Sequence, residues 1–310
     1  MTWILLATAG QFINAAVAIL DKYIVSDEKM LPRPFVYAFY SCLLTSFWVV
    51  VFLLGFIPGL AVLGVPTFAN VQSPSIQVVG MSFLAAYTFF MALVSMYDSL
   101  RKADASDVLP VIGAVAALSS FGMSYLFLGV ALSPNFIWGV ALLIIGTLLV
   151  SQMRFDRSVA LLSVHSGIFF ALHYIAMKGL FQETSFDDGF FWSRMAFVIF
   201  ALSLLLVPSY YEKVTKQTKK TTKRGGLLIL FTKFMAGIAA FMLLKATDWG
   251  DVTVVQALDG LKFAFIIILS LLFGKFIPDS AGENDFSSQT IFRKVLLISI
   301  ITIGFVILFR

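Results

Sequence analysis

The chain has 310 residues, of which 60% are hydrophobic, 15% are aromatic and only 13% are charged, with a formal net charge of +5. A soluble globular domain is about 45–50% apolar and about 25% charged, so this composition excludes an ordinary water-soluble fold. It also excludes a disordered or collagen-like chain, and the single cysteine, Cys42, excludes a disulfide framework.

Long apolar runs follow one another along the chain. A helix rises about 1.5 Å per residue, so about 20 apolar residues cross a hydrocarbon core of about 30 Å. The runs are apolar on every side, which favours helices over the alternating strands of a membrane barrel. We therefore predict ten transmembrane helices, called spans 1 to 10, over residues 2–21, 34–57, 76–98, 106–128, 134–152, 158–178, 189–208, 226–245, 252–273 and 291–309. Span 1 lacks a basic leader and a cleavage signal, so we expect a retained helix and not a signal peptide.

Basic residues are concentrated in alternate connections between the spans. Sixteen Lys and Arg residues lie in the connections 1–2, 3–4, 5–6, 7–8 and 9–10. The connections and termini on the opposite side hold three. By the positive-inside rule the first set is cytoplasmic, which places both termini outside. The densest run, Lys213 to Arg224, is interpreted as part of this topology signal within a long connection at 209–225; a lipid- or nucleic-acid-binding patch is the alternative.

Two junctions resemble each other at a spacing of 144 residues. Residues 100–108 (LRKADASDV) align with residues 244–252 (LKATDWGDV), and Lys22 at the end of span 1 matches Lys178 at the end of span 6. Since five is an odd number, the second copy enters the membrane from the opposite side, so residues 1–153 and 154–310 form two inverted five-helix repeats. Such repeats place a solute site near the midplane, between the halves. Asp107 and Asp251 are predicted to cap spans 4 and 9.

The two five-helix halves, the Ala-Asp-Ala-Ser-Asp-Val-Leu-Pro stretch at 103–110, and Leu128-Gly129 followed by Gly139 and Gly146 resemble the EamA-like family of the drug/metabolite transporter (DMT) superfamily. The resemblance covers essentially the whole chain. It implies an all-α, multi-pass protein of the cell membrane, working as a secondary transporter by alternating access. It also implies cytoplasmic termini, against the charge count, so the orientation stays open.

Small drug exporters of the same superfamily rely on a glutamate within their first helix. Span 1 has no acidic residue before Asp21, which lies at its predicted end, so we do not expect that mode of proton coupling.

Polar side chains inside the spans are unevenly shared between the halves. Ionisable groups in hydrocarbon are costly, and they usually face a cavity or each other. Span 9 carries three polar residues at a spacing of three, which places them on one helical face. The repeat-related positions in span 4 are apolar, and an asymmetric solute would explain that difference. We therefore predict a substrate site formed by Arg194, Lys233, Gln256, Asp259, Lys262, His173 and His165.

Six of these seven residues, all but Gln256, also have a purely structural interpretation. Asp259 and Lys262 would neutralise each other, Arg194 and Lys233 would extend to the headgroups, and the two histidines would form hydrogen bonds between helices. If Arg194, Lys233 and Lys262 converge, three cations face one carboxylate. Such a site would favour an anionic or zwitterionic metabolite over a lipophilic cation.

The sequence contains none of the motifs that membrane enzymes and pumps require. We find no zinc-protease, nucleophile-elbow or nucleotide-binding motif, so we expect no enzyme activity, no cofactor and no metal. We expect a transporter of a small polar metabolite, acting as an exporter or exchanger, with membrane lipid and solute as partners and no nucleic acid. A multidrug or organic-cation exporter, a receptor or structural protein, and a homodimer remain open.

Overall fold

A computed structural model describes residues 2–27, 30–31, 33–57, 64–129 and 156–273, together with nine isolated positions between 138 and 307. All regular structure in these residues is helical. Six of the described helices are long and apolar enough to cross a membrane, or seven if one sharply bent pair counts as a span. The chain thus has the architecture of a multi-pass membrane protein. Within the continuously described ranges the α-helices are α1 (Thr2–Ser26), α2 (Pro34–Thr45), α3 (Ile76–Lys102), α4 (Ala105–Leu128), α5 (Arg157–Glu183), α6 (Phe186–Leu204), α7 (Pro208–Lys220), α8 (Lys223–Trp249), α9 (Val252–Ala257) and α10 (Leu261–Phe273).

Most of the predicted spans correspond to observed helices. Spans 1, 3, 4, 6, 7 and 8 are single helices, although α1 and α3 extend several residues beyond the predicted ends. Span 2 changes at Ser46 from the α-helix α2 to a 3₁₀ helix, Ser46–Phe56. Span 9 is broken into α9, a 3₁₀ turn at Leu258–Gly260, and α10. Spans 5 and 10 lie almost entirely outside the described residues.

The predicted connection at 209–225 is wrong in one respect, because most of it is the helix α7. α6 ends at Leu204 and α7 starts at Pro208, and the two axes differ by 98°. Proline suits the first position of a helix, where its missing N–H has no intrahelical partner to lose. Four of the six basic residues of the run therefore lie on a helix nearly perpendicular to α6, and Lys223 and Arg224 lie in the first turn of α8.

The aspartates at the two repeated junctions behave differently from each other. Asp251 caps α9 as predicted, with its side chain accepting hydrogen bonds from the backbone N–H groups of Thr253 and Val254 at 2.8 and 3.1 Å. Asp107 is not the N-cap residue of α4, which is Asp104, but it lies in the first helical turn, where its carboxylate meets the positive end of the helix dipole as predicted. Asp104 and Asp251 are therefore the residues at equivalent helix starts.

The helices pack in a crossed arrangement. α1 packs mainly against α8 and α10, whereas α5 packs mainly against α3 and α4. Small residues permit both close approaches: a Cβ added at Gly10 would lie 3.1 Å from the Leu243 side chain, and one at Gly167 would lie 2.7 Å from the carbonyl oxygen of Ile112. Close backbone approach at small residues is the usual way in which membrane helices associate.

Two lysines make matching contacts at the ends of long helices. Lys22 donates to the carbonyl oxygens of Leu100 and Ala103, at 2.5 and 2.7 Å, where α3 ends. Lys178 donates to Thr247 and Gly250, at 2.9 and 3.0 Å, where α8 ends. A cation near the C-terminus of a helix compensates the partial negative charge of its last carbonyl groups. Leu100 and Thr247 are 147 residues apart, and so are Ala103 and Gly250. This spacing is three residues longer than that of the sequence alignment.

Candidate solute site between the helices

A cavity of about 130 Å³ lies between helices from both ends of the chain. A cavity of about 150 Å³ is enough to hold benzene, so this space suits a solute of a few heavy atoms. α1, α2, α3, α4, α5, α8 and the broken pair α9–α10 all contribute to its wall. The polar residues lining it are Asn14, Asp21, Ser41, Thr45, Tyr97, Tyr174, Lys233, Gln256, Asp259 and Lys262.

One wall of the cavity contains a buried ion pair between α1 and α8. The ammonium of Lys233 lies 2.9 Å from a carboxylate oxygen of Asp21, and both side chains are at most 5% exposed. Lys233 also donates to the hydroxyl of Tyr97 at 2.8 Å and lies 4.0 Å from the ring centre of Tyr37. Tyr37 in turn donates its hydroxyl proton to Asp21. Four helices, α1, α2, α3 and α8, therefore meet at one balanced charge pair.

The cavity lining contains a second ion pair, at the break in span 9. Asp259 lies in the 3₁₀ turn, and its two oxygens accept from the ammonium of Lys262 at 2.8 and 2.9 Å. Gln256 lies one turn earlier and is buried. Interrupted helices with polar groups at the break are a common way to build solute sites in membrane transporters. Asp259 and Lys262 thus neutralise each other, as the structural interpretation predicts, and both also line the cavity, as the site prediction requires.

The cavity is electrically balanced, in contrast to the predicted cluster of three cations. The charged residues that line it, among those the structure describes, are two lysines and two aspartates, arranged as two ion pairs. Arg194 does not line it. That side chain is buried between the rings of Phe190 and Phe197, 5.2 and 4.6 Å from the ring centres. Its Nε and Nη2 atoms are buried and have no hydrogen-bond partner among the residues that the structure describes.

Neither histidine lines the cavity. Nδ1 of His165 lies 2.7 Å from the hydroxyl of Ser95, and Nδ1 of His173 lies 2.9 Å from the carbonyl oxygen of Ala85. Both contacts join α5 to α3, which matches the structural interpretation of these residues. Among the described residues, no three His, Cys, Asp or Glu side chains are grouped so that they could hold a metal ion.

Asp21 is a site residue that the sequence does not predict, because it stands at the predicted end of span 1. The helix continues for five more residues to Ser26, so Asp21 lies inside it and not at its end. The apolar residues Tyr23, Ile24 and Val25 were the available signal. Asn14, which the sequence indicates only as a packing residue bonded to a neighbouring backbone, lies on the same helix and lines the same cavity.

An apolar groove of about 700 Å³ lies next to this site, between the 3₁₀ helix Ser46–Phe56 and α8. Several of its side chains, including Phe47, Leu53 and Phe234, are exposed on the outer surface. Lys233 lines both the groove and the polar cavity. Trp48 in the groove packs against the backbone of Gly237 so closely that an added Cβ would overlap the indole ring.

Comparison with known proteins supports the fold alone. No protein-family model matches the chain, and no curated protein sequence matches it significantly. Solved structures do match: one, described as "Crystal structure of protein", has a TM-score of 0.61 at 14% sequence identity, over 99% of this chain and 97% of that chain. At this identity the likeness concerns the arrangement of helices along the whole length.

Proposed function

We propose that the chain is a secondary transporter that carries a small zwitterionic metabolite through the cavity by alternating access. The observation that carries the proposal is the cavity itself, which lies between helices of residues 1–153 and 154–310 and is lined by two ion pairs. Buried charges are costly in a membrane interior, and they are retained where they serve a solute pathway.

The proposal includes a ten-helix architecture of two inverted five-helix repeats. Two observations support it. The packing of α1 on α8 and α10 has a counterpart in the packing of α5 on α3 and α4, and Lys22 and Lys178 make the same contact at corresponding helix ends. Halves that interleave in this way have a shared interface on which one half rocks against the other.

The charge balance of the cavity supports a zwitterionic solute. The carboxylate of such a solute would meet a lysine, Lys233 or Lys262, and its ammonium would meet an aspartate, Asp21 or Asp259. Each charge is then compensated when the solute is bound and when it is absent. A solute with net charge would leave an uncompensated charge in the membrane interior, which is strongly unfavourable.

The proposal keeps the wider class predicted from the sequence. We place the chain in the EamA-like family of the DMT superfamily and in the cell membrane, on the strength of the sequence resemblance. Export or exchange is the proposed mode, and the solute and membrane lipid are the proposed partners.

A solute panel in reconstituted vesicles tests the proposal. The panel consists of alanine and serine as zwitterions, lactate and glycerol phosphate as anions, and tetramethylammonium as a cation. We expect the zwitterions to be transported at least ten-fold faster than the others. Lys262→Ala should reduce that rate at least ten-fold, since it leaves Asp259 without its partner in the cavity.

Lys245→Ala is the matched control. Lys245 and Asp248 also form a pair three residues apart, with side-chain exposures of 11% and 21% against 11% and 17% for Lys262 and Asp259, but Lys245 does not line the cavity. We expect its transport rate to stay within two-fold of the parent. A preference for tetramethylammonium that survives Lys262→Ala would favour an organic-cation exporter. No transport and no thermal stabilisation by any solute would favour a receptor or structural protein.

A further inference from the structure

The corner between α6 and α7 displays apolar side chains on the outer surface. Leu202, Leu206 and Val207 are 48%, 83% and 42% exposed. Exposed leucines at the end of a spanning helix are stable where they meet hydrocarbon. The axis of α7 is turned by 98° from that of α6 at this corner. With α6 crossing the membrane, this turn would direct α7 along the membrane surface, at the level where the hydrocarbon ends.

One face of α7 is fixed against the rest of the protein. Val214 and Gln217 are buried, and the Tyr210 ring lies 4.7 Å from that of Phe35 in α2. The hydroxyl groups of Thr218 and Tyr40 are 2.6 Å apart. These contacts dock α7 on α2 and determine which of its faces is left exposed.

The exposed face of α7 is strongly basic. The stretch 208–224 has six basic residues and a single acidic one, Glu212, which forms an ion pair with Lys216. Each of the basic side chains in this stretch belongs to an exposed residue. They are Lys213, Lys216, Lys219, Lys220, Lys223 and Arg224.

We propose that the exposed face of α7 and the first turn of α8 bind the phosphate headgroups of anionic membrane lipids. Clusters of four to eight basic residues next to a spanning helix or on an amphipathic helix attract anionic lipid, and each residue strengthens the attraction about five-fold. The position favours lipid over other polyanions, because the exposed Leu206 holds this face at the edge of the hydrocarbon. Lipid phosphates lie at that depth.

The docking of α7 on α2 links this surface to the solute site, and this step rests on the proposed function. Tyr40 contacts α7, while Tyr37, one turn away on α2, donates to Asp21 in the cavity wall. Thr221, just after α7, also donates to the carbonyl oxygen of Met30 in the connection before α2, at 3.1 Å. Lipid bound to α7 therefore restrains α2, and the transport rate should depend on anionic lipid.

The binding surface is tested on the full chain in neutral detergent, by titration with dioctanoyl phosphatidylglycerol and dioctanoyl phosphatidylcholine and detection of bound lipid by native mass spectrometry. We expect at least ten-fold tighter binding of phosphatidylglycerol, weakening with added salt because screening acts on exposed charges. The triple variant Lys216→Gln, Lys219→Gln, Lys220→Gln should lose at least ten-fold of this affinity. The control variant Arg101→Gln, Lys102→Gln, Arg157→Gln removes three exposed charges elsewhere and should stay within two-fold.

Three outcomes would overturn the lipid assignment: retained affinity in the α7 variant, an equal loss in the control, or displacement of the lipid by inorganic phosphate or poly(U) RNA at lower concentration than by phosphatidylglycerol itself. The link to the solute site is tested separately, by comparing transport in phosphatidylglycerol and phosphatidylcholine vesicles. Equal rates would overturn that link. Lipid binding is measured without any solute, so a failure of the transporter proposal is distinguishable from a failure of this one.

Discussion

The charge of Lys233 is balanced by Asp21 at a place that water does not reach freely, and removing one partner leaves the other without compensation. Breaking a buried ion pair in this way costs about 3–5 kcal/mol. We expect Asp21→Asn to lower the free energy of unfolding by that order, measured as a fall in the thermal unfolding temperature in detergent. Replacing both residues, Asp21→Asn with Lys233→Met, should recover most of the loss, since apolar packing often replaces a buried pair without penalty.

The same double variant separates stability from transport. It keeps the packing of α1 on α8 but removes one of the two ion pairs of the cavity. We expect it to remain folded and to lose solute transport. A double variant that is as unstable as Asp21→Asn alone would show that the two charges do not act as a pair, and one that still transports alanine at the parent rate would remove this pair from the solute pathway.

A glycine in α8 determines how the 3₁₀ helix of span 2 packs. Gly237→Ala would place a methyl group where the Trp48 indole lies, so the ring must move into the apolar groove. Overpacking of this kind costs about 1–3 kcal/mol. We expect a lower unfolding temperature and a changed emission maximum of Trp48, measured in a variant whose other four tryptophans are Phe.

Gly226→Ala is the control on the same helix, because a Cβ at Gly226 meets no atom within 4 Å. Alanine is a better helix former than glycine by about 1 kcal/mol, so this variant should be as stable as the parent or slightly more so. Adding Trp48→Leu to Gly237→Ala should restore stability. If the rescue fails, or if the emission of Trp48 is unchanged in Gly237→Ala, then Trp48 of the 3₁₀ helix does not pack tightly against Gly237 of α8.

At the scale of the helices, the sequence predicts where a membrane-spanning helix lies better than it predicts whether that helix is continuous. Hydrophobicity averaged over about 20 residues locates a span, but it does not detect a break such as Leu258–Gly260, because the window also contains the many apolar residues of α9 and α10. Nor does it show that Asp259 at that break faces the same cavity as Asp21, since this depends on how distant helices pack. α7 was predictable in part: Tyr210, Val214 and Gln217 recur at helical spacing within a polar stretch.

At the scale of the whole molecule, Lys22 and Lys178 provide a test of the repeat. If the halves are equivalent, Lys22→Met and Lys178→Met should destabilise the protein to a similar extent, each by about 1–3 kcal/mol for the loss of charged hydrogen bonds to helix-end carbonyl groups. The measurement is thermal unfolding of each variant beside Lys220→Met, an exposed lysine on α7 that should have no effect. A large effect of one lysine and none of the other would argue against equivalent roles in the two halves.

Alternating access predicts that one cavity residue is reached from both sides of the membrane, but not at the same time. Asn14 lines the cavity from α1, and the native Cys42 is buried, so Asn14→Cys in a Cys42→Ser background reports on this position. We expect a membrane-impermeant thiol reagent to label this cysteine from either side of oriented vesicles. Saturating alanine should raise the labelling rate from one side and lower it from the other. Phe12→Cys, on the outer face of the same helix, should not respond to alanine. Labelling of Asn14→Cys from a single side under all conditions would contradict the rocking of one half against the other, since a cavity that never changes side belongs to a receptor and not to a transporter.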